Sequence, residues 1–379
     1  MYLLEHDAKE VFAYSRIPVP AGCLVESVQK LRDAVLPPGP WVVKGQITAG
    51  GRGKAGLIMK AGTVEELHAE VGAIIGQSVR GRSVAAVRVE QQISGAEETY
   101  LSLLLDAAAG GVRIIVSAQG GVEVEALPHH AIHTAIAALE VEAIALCAQR
   151  LTATMPSHVA AALRDAAARL AHVFLEREAL LVEINPLFVR SDGSWVAGDA
   201  KFVTDDNALE RQPVLRELLE RRAAAYPETA LKLRHGFDYV VVDPEGEIGL
   251  LTTGAGLSMM LIDELRAAGL KPYNFLDIRT GGLRGETTRL ASVLNWIAQG
   301  PRVRALLINI FAGITELGEF SRLLVAALAQ SPLKVPVVAR LVGNGLPAAR
   351  QVLADAGIKL YTELDDAVAA VRQHLWKGE

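Results

Sequence analysis

The sequence predicts an α/β protein in two parts, a mixed α+β part over residues 1–234 and a doubly wound parallel-sheet part over residues 235–379. Three observations carry this. The first two-thirds mixes short strands and helices with hairpin signals. The last third alternates continuous apolar strands with helical runs, the pattern of a parallel sheet covered on both faces. Between them the composition changes to a charged, alanine-rich helical stretch, Arg221 to Arg234.

In the first part, Pro40 to Lys44 and Val84 to Glu90 read as strands around a helical stretch from Val64 to Ile75. Thr99 to Leu105 and Val112 to Ser117 read as an antiparallel pair, followed by a long helix from His158 to Glu176. Leu180 to Ile184 and Ser194 to Asp199 form a hairpin pattern around Ser191-Asp192-Gly193. In the second part, the strands are Ile248 to Thr252, Asn274 to Ile278, Ala305 to Ile310 and Val335 to Leu341. Glycine-rich turns follow them at Gly254-Ala255-Gly256, Gly281-Gly282, Ala312-Gly313 and Gly343-Asn344-Gly345. A doubly wound sheet binds ligands at that edge.

Composition narrows the function class. Over 379 residues, 51% are hydrophobic and the formal net charge is only −5, with no basic block of the kind that binds nucleic acid or anionic lipid. No apolar run approaches the roughly 18 residues that span a bilayer, and the first residues lack the order of a secretion signal. The two cysteines, Cys23 and Cys147, are far apart. A cytoplasmic enzyme or subunit is expected.

Two stretches carry chemistry. In Lys44-Gly45-Gln46-Ile47-Thr48-Ala49-Gly50-Gly51-Arg52-Gly53-Lys54-Ala55-Gly56, a lysine ends a strand and a loop with five glycines and two further cations follows. Glycine lets backbone N–H groups converge on phosphate oxygens while the cations supply charge; the alternative is a basic surface loop. It is not a Walker A loop. In Val182-Glu183-Ile184-Asn185-Pro186, the two polar residues share one face of a strand. Asp199 on the hairpin partner completes an oxygen set suited to Mg²⁺.

Together with Ile17-Pro18-Val19-Pro20, Gly254-Ala255-Gly256-Leu257, Phe275-Leu276-Asp277 and Asn309-Ile310-Phe311-Ala312-Gly313-Ile314, these stretches resemble the β subunit of succinyl-CoA synthetase, in the family's order and over essentially the whole chain. The resemblance implies an ATP-grasp domain followed by a flavodoxin-like CoA-ligase domain. It implies an acid–thiol ligase that uses ATP or GTP with Mg²⁺ and acts with an α subunit, in an αβ or α2β2 assembly, that carries the phosphorylated histidine and most of the CoA site. By position, Lys44, Gly51, Arg52, Gly53, Glu90 and Glu98 would hold the nucleotide, with Glu90 at its hinge, and Asn185 and Asp199 would hold the metal. Glu183 would orient the phosphohistidine beside Arg52, and Thr253, Arg279, Gly313, Ile314 and Thr315 would face the acid, with succinate the default and malate, citrate or a sulfonated acid the alternatives. A non-catalytic regulatory subunit of the same fold is the rival of a different class.

Departures from the family pattern lie mostly in the second part. Thr253 replaces an asparagine, Arg279 and Arg284 enter a normally featureless loop, and a basic-Cys-Asp sequence becomes Glu316-Leu317-Gly318. The helix beginning near Glu316 is expected to offer unpaired N–H groups to an anion.

Overall fold

The computed structural model describes residues 1–48, 50–79, 82–121, 127–278, 287–313 and 315–376. Contacts divide the chain into two units, Met1–Leu218 and Leu219–Glu379. The division falls before the boundary expected at residue 235. Helix Pro227–His235 goes with the second unit because it pairs with the strand after it: Lys232 Nζ lies 2.7 Å from Asp238 Oδ1, and Val241 N–H donates to Glu228 Oε1 at 3.1 Å.

The first unit holds two antiparallel sheets. The smaller runs in the order Gly22–Val25, Val87–Gln91, Trp41–Gly45, Ile58–Ala61. Strand alternation splits its residues by face. Val25, Val43, Val87 and Val89 turn to helix Val64–Ile74, where Leu67, Val71 and Ile74 close a core. Lys44, Arg88 and Glu90 take the other face, with Lys44 opposite Arg88 in register. Thr63 and Glu66 form a capping box at the start of that helix.

The larger sheet runs Trp195–Ala197, Ala179–Val189, Glu97–Asp106, Gly111–Ser117, His133–Ala137, with Lys201–Thr204 beside the first half of Ala179–Val189. Helices Val141–Leu151 and Ser157–Glu176 cover one face. Along Ala179–Val189 the residues Val182, Ile184 and Leu187 are buried, while Glu183 and Asn185 are half-buried between them. A register shift between Ile184 and Leu187 then interrupts the pairing with Glu97–Asp106. The first helix, Glu5–Tyr14, follows a short pairing of Tyr2 with Val203 and of Leu3 N–H with Phe202 O at 2.9 Å.

The second unit is built on a parallel sheet, Ile248–Thr252, Ala305–Ala312, Val337–Gly343, Leu360–Tyr361. Alternate residues of the central strand feed two cores. Leu306, Ile308 and Ile310 pack with Leu294, Phe320 and Leu353 on one side. Ala305 and Leu307 pack with Leu261, Leu265 and Val371 on the other. Asn274–Asp277, expected as a member of this ladder, pairs antiparallel with Asp238–Val241 instead. It still abuts Ile248–Thr252, where Tyr273 N–H donates to Ile248 O at 2.8 Å and Ile278 N–H to Thr252 O at 3.1 Å. The Asn274 side chain fills the gap between these backbone bonds. Its amide accepts from Leu250 N–H and donates to Leu250 O, each at 2.9 Å.

Asn274→Ala leaves a buried N–H and a buried carbonyl of Leu250 unpaired, and we expect a loss of about 2–4 kcal/mol. Urea unfolding followed by fluorescence measures it; a loss below about 0.5 kcal/mol would show that the amide adds nothing to the backbone bonds on either side of it.

Candidate active site

Four charged side chains meet in the interior of the first unit. Lys44 Nζ donates to Glu5 Oε1 at 2.9 Å and to the Gly198 carbonyl at 2.6 Å, and lies 2.7 Å from Glu90 Oε1. Lys9 Nζ lies 2.7 Å from the same Glu5 oxygen and donates to Glu90 Oε2 at 2.7 Å and to Gly198 O at 2.8 Å. The two lysines and two glutamates thus alternate in sign around a closed square. Arg88 from the same sheet face adds a bond to Glu90 at 2.7 Å, and its guanidinium also meets His6 Nδ1 and Pro20 O.

Gly198 is the hinge of this arrangement. A Cβ at that position would fall 2.3 Å from the Phe188 ring and 2.8 Å from Pro186 O, so only glycine lets the chain come this close. Its N–H donates to Pro186 O at 2.9 Å, which sets Asp199 beside the Asn185-Pro186 segment.

The glycine-rich loop closes onto the square through one residue. Arg52 reaches inward to Glu5 Oε2 and grips Asp199 with Nη2 at 2.7 and 2.8 Å. Gly51 and Gly53 beside it are exposed, and a Cβ at Gly50, Gly53 or Gly56 would meet nothing within 4 Å. The glycines therefore leave an open face above a loop anchored by its arginine, as a phosphate cradle requires.

The electrostatics follow from this packing. Burial pushes the Glu5 carboxyl up, but Arg52, Lys44 and Lys9 outweigh it and hold it well below the ordinary value. At Glu90, burial is likewise outweighed by Lys9 and Lys44. Burial works against the Lys44 ammonium, yet Glu5, Glu90 and Asp199 raise its pKa. Arg52 is raised against burial by Asp199 and Glu5. Lys9, the more deeply buried lysine at 1% exposure, is lowered because there burial prevails.

The remaining expected residues take distinct places. Glu183 accepts from Tyr100 OH at 2.8 Å, with Lys201 Nζ at 4.0 Å. Asn185 Oδ1 accepts from Gly121 N–H at 2.8 Å. Glu98 is exposed and lies against the same glycine, where a Cβ would fall 1.6 Å from its Oε2. Glu90, expected at a nucleotide hinge, is an interior counter-ion with both oxygens engaged by cations. For Mg²⁺, Asp199 and Asn185 offer a carboxylate and an amide oxygen, donors of the hard class it prefers. Glu5, Lys9 and Arg88 went unread in the sequence, although the i,i+4 spacing of Glu5 and Lys9 was a signal.

In the second unit, Gly254 takes φ +80° and its N–H donates to Asp277 Oδ1 at 2.8 Å, fixing the turn after Ile248–Thr252. Thr253 is buried, Gly313 exposed and Thr315 half-buried. Arg279, Arg284 and Ile314 lie outside the described residues. The anion site expected at helix Leu317–Gln330 is corrected by the structure. Glu316 caps that helix itself, accepting from Gly318 N–H at 3.1 Å and Glu319 N–H at 2.6 Å. Those two bonds hold its carboxyl below the ordinary value.

The ATP-grasp domain family matches residues 2–189 and the CoA-ligase family residues 251–373. The succinate–CoA ligase [ADP-forming] subunit beta of Chloroflexus aurantiacus is 37% identical over 99% of this chain and all of its own length. The chain belongs to the β-subunit family of ADP-forming succinate–CoA ligases. The Pasteurella multocida member is 35% identical over 98% of this chain and 99% of its own. The ATP citrate lyase of Methanothrix soehngenii, solved with citrate and coenzyme A, shares the fold at a TM-score of 0.72 and 19% identity, covering 99% of both chains. As a family member the chain is an acid–thiol ligase that works with ATP or ADP and Mg²⁺, and as a β subunit it has an α partner. No helix among the described residues is long and apolar enough to cross a membrane.

Because Glu5 and Glu90 both titrate below 4.5, the unfolded chain binds more protons than the folded one in acid. The stability they contribute is present above that value and is lost as pH falls. In urea unfolding between about pH 5.5 and pH 3, Glu5→Gln should flatten the decline by up to about 1.4 kcal/mol per pH unit. An unchanged slope would show that Glu5 is not ion-paired.

Proposed function

We propose that this chain is the nucleotide-binding subunit that uses Mg-ATP to phosphorylate a histidine of its α partner, activating succinate as its CoA thioester. The observation that supports it best is the convergence of Lys44, Arg52 and Asp199 beneath an open glycine-rich loop. Lys44 and Arg52 stabilise charge on the transferring phosphoryl group, the dominant contribution to such catalysis. Asn185 and Asp199 hold Mg²⁺, which neutralises phosphate charge when bound. Gly51, Gly53 and Glu98 line the nucleotide. Glu183, steadied by Tyr100, orients the partner's imidazole. ATP rather than GTP, and succinate as the acid, follow the names of relatives at 34–37% identity. Thr253 in place of asparagine favours malate, a hydroxylated acid, as the second reading. The two cysteines are free thiols, in keeping with a reducing cytoplasm.

The purified chain should bind Mg-ATP in calorimetry yet form no thioester until the α partner is added; acyl-CoA from the single chain would overturn this. Asn185→Ala and Asp199→Ala should each slow phosphorylation of the partner by about a hundredfold or more without unfolding the chain. Unchanged rates in both would remove the metal assignment. An acid panel of succinate, malate, citrate, sulfoacetate, acetate and propionate, scored by thioester formation, names the substrate; a preference for acetate or propionate refutes the dicarboxylate reading.

A further inference from the structure

Lys9 and Lys44 hold the same three residues, sharing Glu5 Oε1 and Gly198 O and taking opposite oxygens of Glu90. Each ammonium reaches Glu5 Oε1, one oxygen of Glu90 and the Gly198 carbonyl, at distances between 2.6 and 2.9 Å. An ammonium has three N–H groups, so every donor of Lys44 is engaged inside the protein. A lysine in that state turns to a phosphate oxygen only by releasing a buried acceptor. Without Lys9, Glu90 would keep Arg88 but Glu5 would keep only Arg52. A nucleotide that drew Arg52 as well would leave that buried carboxylate uncompensated, which is strongly unfavourable.

We propose that Lys9 is a positioning residue that stands in for Lys44: because it already bonds Glu5 Oε1 and Gly198 O, and with Arg88 keeps Glu90 paired, Lys44 is free to pass to a nucleotide phosphate without stranding Glu5 or Gly198 O. The inference rests on the nucleotide reading above. Lys9 itself never touches the ligand. At 1% exposure on the first helix it is walled in, with its charge committed to the square. Lys44, at 6% exposure, lies on a strand that runs directly into the glycine-rich loop. Glu5 couples the exchange to that loop, since its second oxygen holds Arg52. A nucleotide that draws both cations from Glu5 leaves Lys9 as its partner.

A merely structural Lys9 would give a different outcome, because its removal would lower stability and leave the affinity of the folded chain unchanged. The test uses the full chain, with ATP affinity measured by calorimetry with and without Mg²⁺ and stability by urea unfolding. Lys9→Met confines Lys44 to the two carboxylates, and its dissociation constant for ATP should rise at least about tenfold, while Lys9→Arg stays within about threefold of the wild type. The charge-balanced double variant Lys9→Met/Glu5→Gln relieves that confinement, recovers stability, and should return the constant to within about threefold. It also decides the matter where Lys9→Met alone fails to fold. A folded Lys9→Met chain with wild-type affinity overturns the inference, as does a stable double variant that still binds about tenfold weakly. A wild-type chain that binds no ATP fails the nucleotide reading itself, a result distinct from silent variants on a chain that binds.

Discussion

Removing four charges from water costs several kcal/mol for each ion, and only close pairing in a good geometry offsets it. Glu5, Lys9, Lys44 and Glu90 meet that condition because each corner touches two neighbours of opposite sign and the Gly198 carbonyl takes the remaining N–H of both lysines. The square joins the first helix, two strands of the smaller sheet and the turn that precedes Asp199. Through Gly198 O it ties the smaller sheet to the turn between Trp195–Ala197 and Lys201–Thr204 of the larger one. The glycine-rich loop depends on it in turn, since Arg52 is fixed by Glu5 from one side and by Asp199 from the other.

What the sequence made legible were features with a local signature. The loop from Lys44 to Gly56 showed itself by glycine and charge, and Glu183 and Asn185 by being polar between buried neighbours on an apolar strand. The alternation of strand and helix in the second unit likewise foretold two cores, one on each face of the sheet. The square was not legible because all its bonds except Glu5–Lys9 join residues 39 to 189 positions apart. A Glu5–Lys9 pair at i,i+4 looks the same whether water or protein surrounds it.

Two readings in the second unit turned on side chains doing the work of backbone. Periodicity assigns Asn274–Asp277 to the parallel ladder, but it pairs antiparallel with Asp238–Val241 and meets Leu250 of that ladder through an amide side chain. Glu316 occupies the N–H groups at the start of helix Leu317–Gln330 that the sequence left open. Glutamate is not among the favoured capping residues, so the residue type gave no warning. The structure therefore moves the case for anion recognition in this unit away from that helix end.

A closed square of two positive and two negative groups has no net charge and a field that dies away within a few ångströms of its edge. Lys44 therefore contributes nothing to drawing a nucleotide in from solution. Arg52 is balanced in the same way by Glu5 and Asp199, and Lys54 is the exposed cation of the glycine-rich loop. Ionic strength then governs how fast the nucleotide arrives through the loop alone. On the reading proposed above, the square governs only how firmly the nucleotide is held once Lys44 has let go of its own protein.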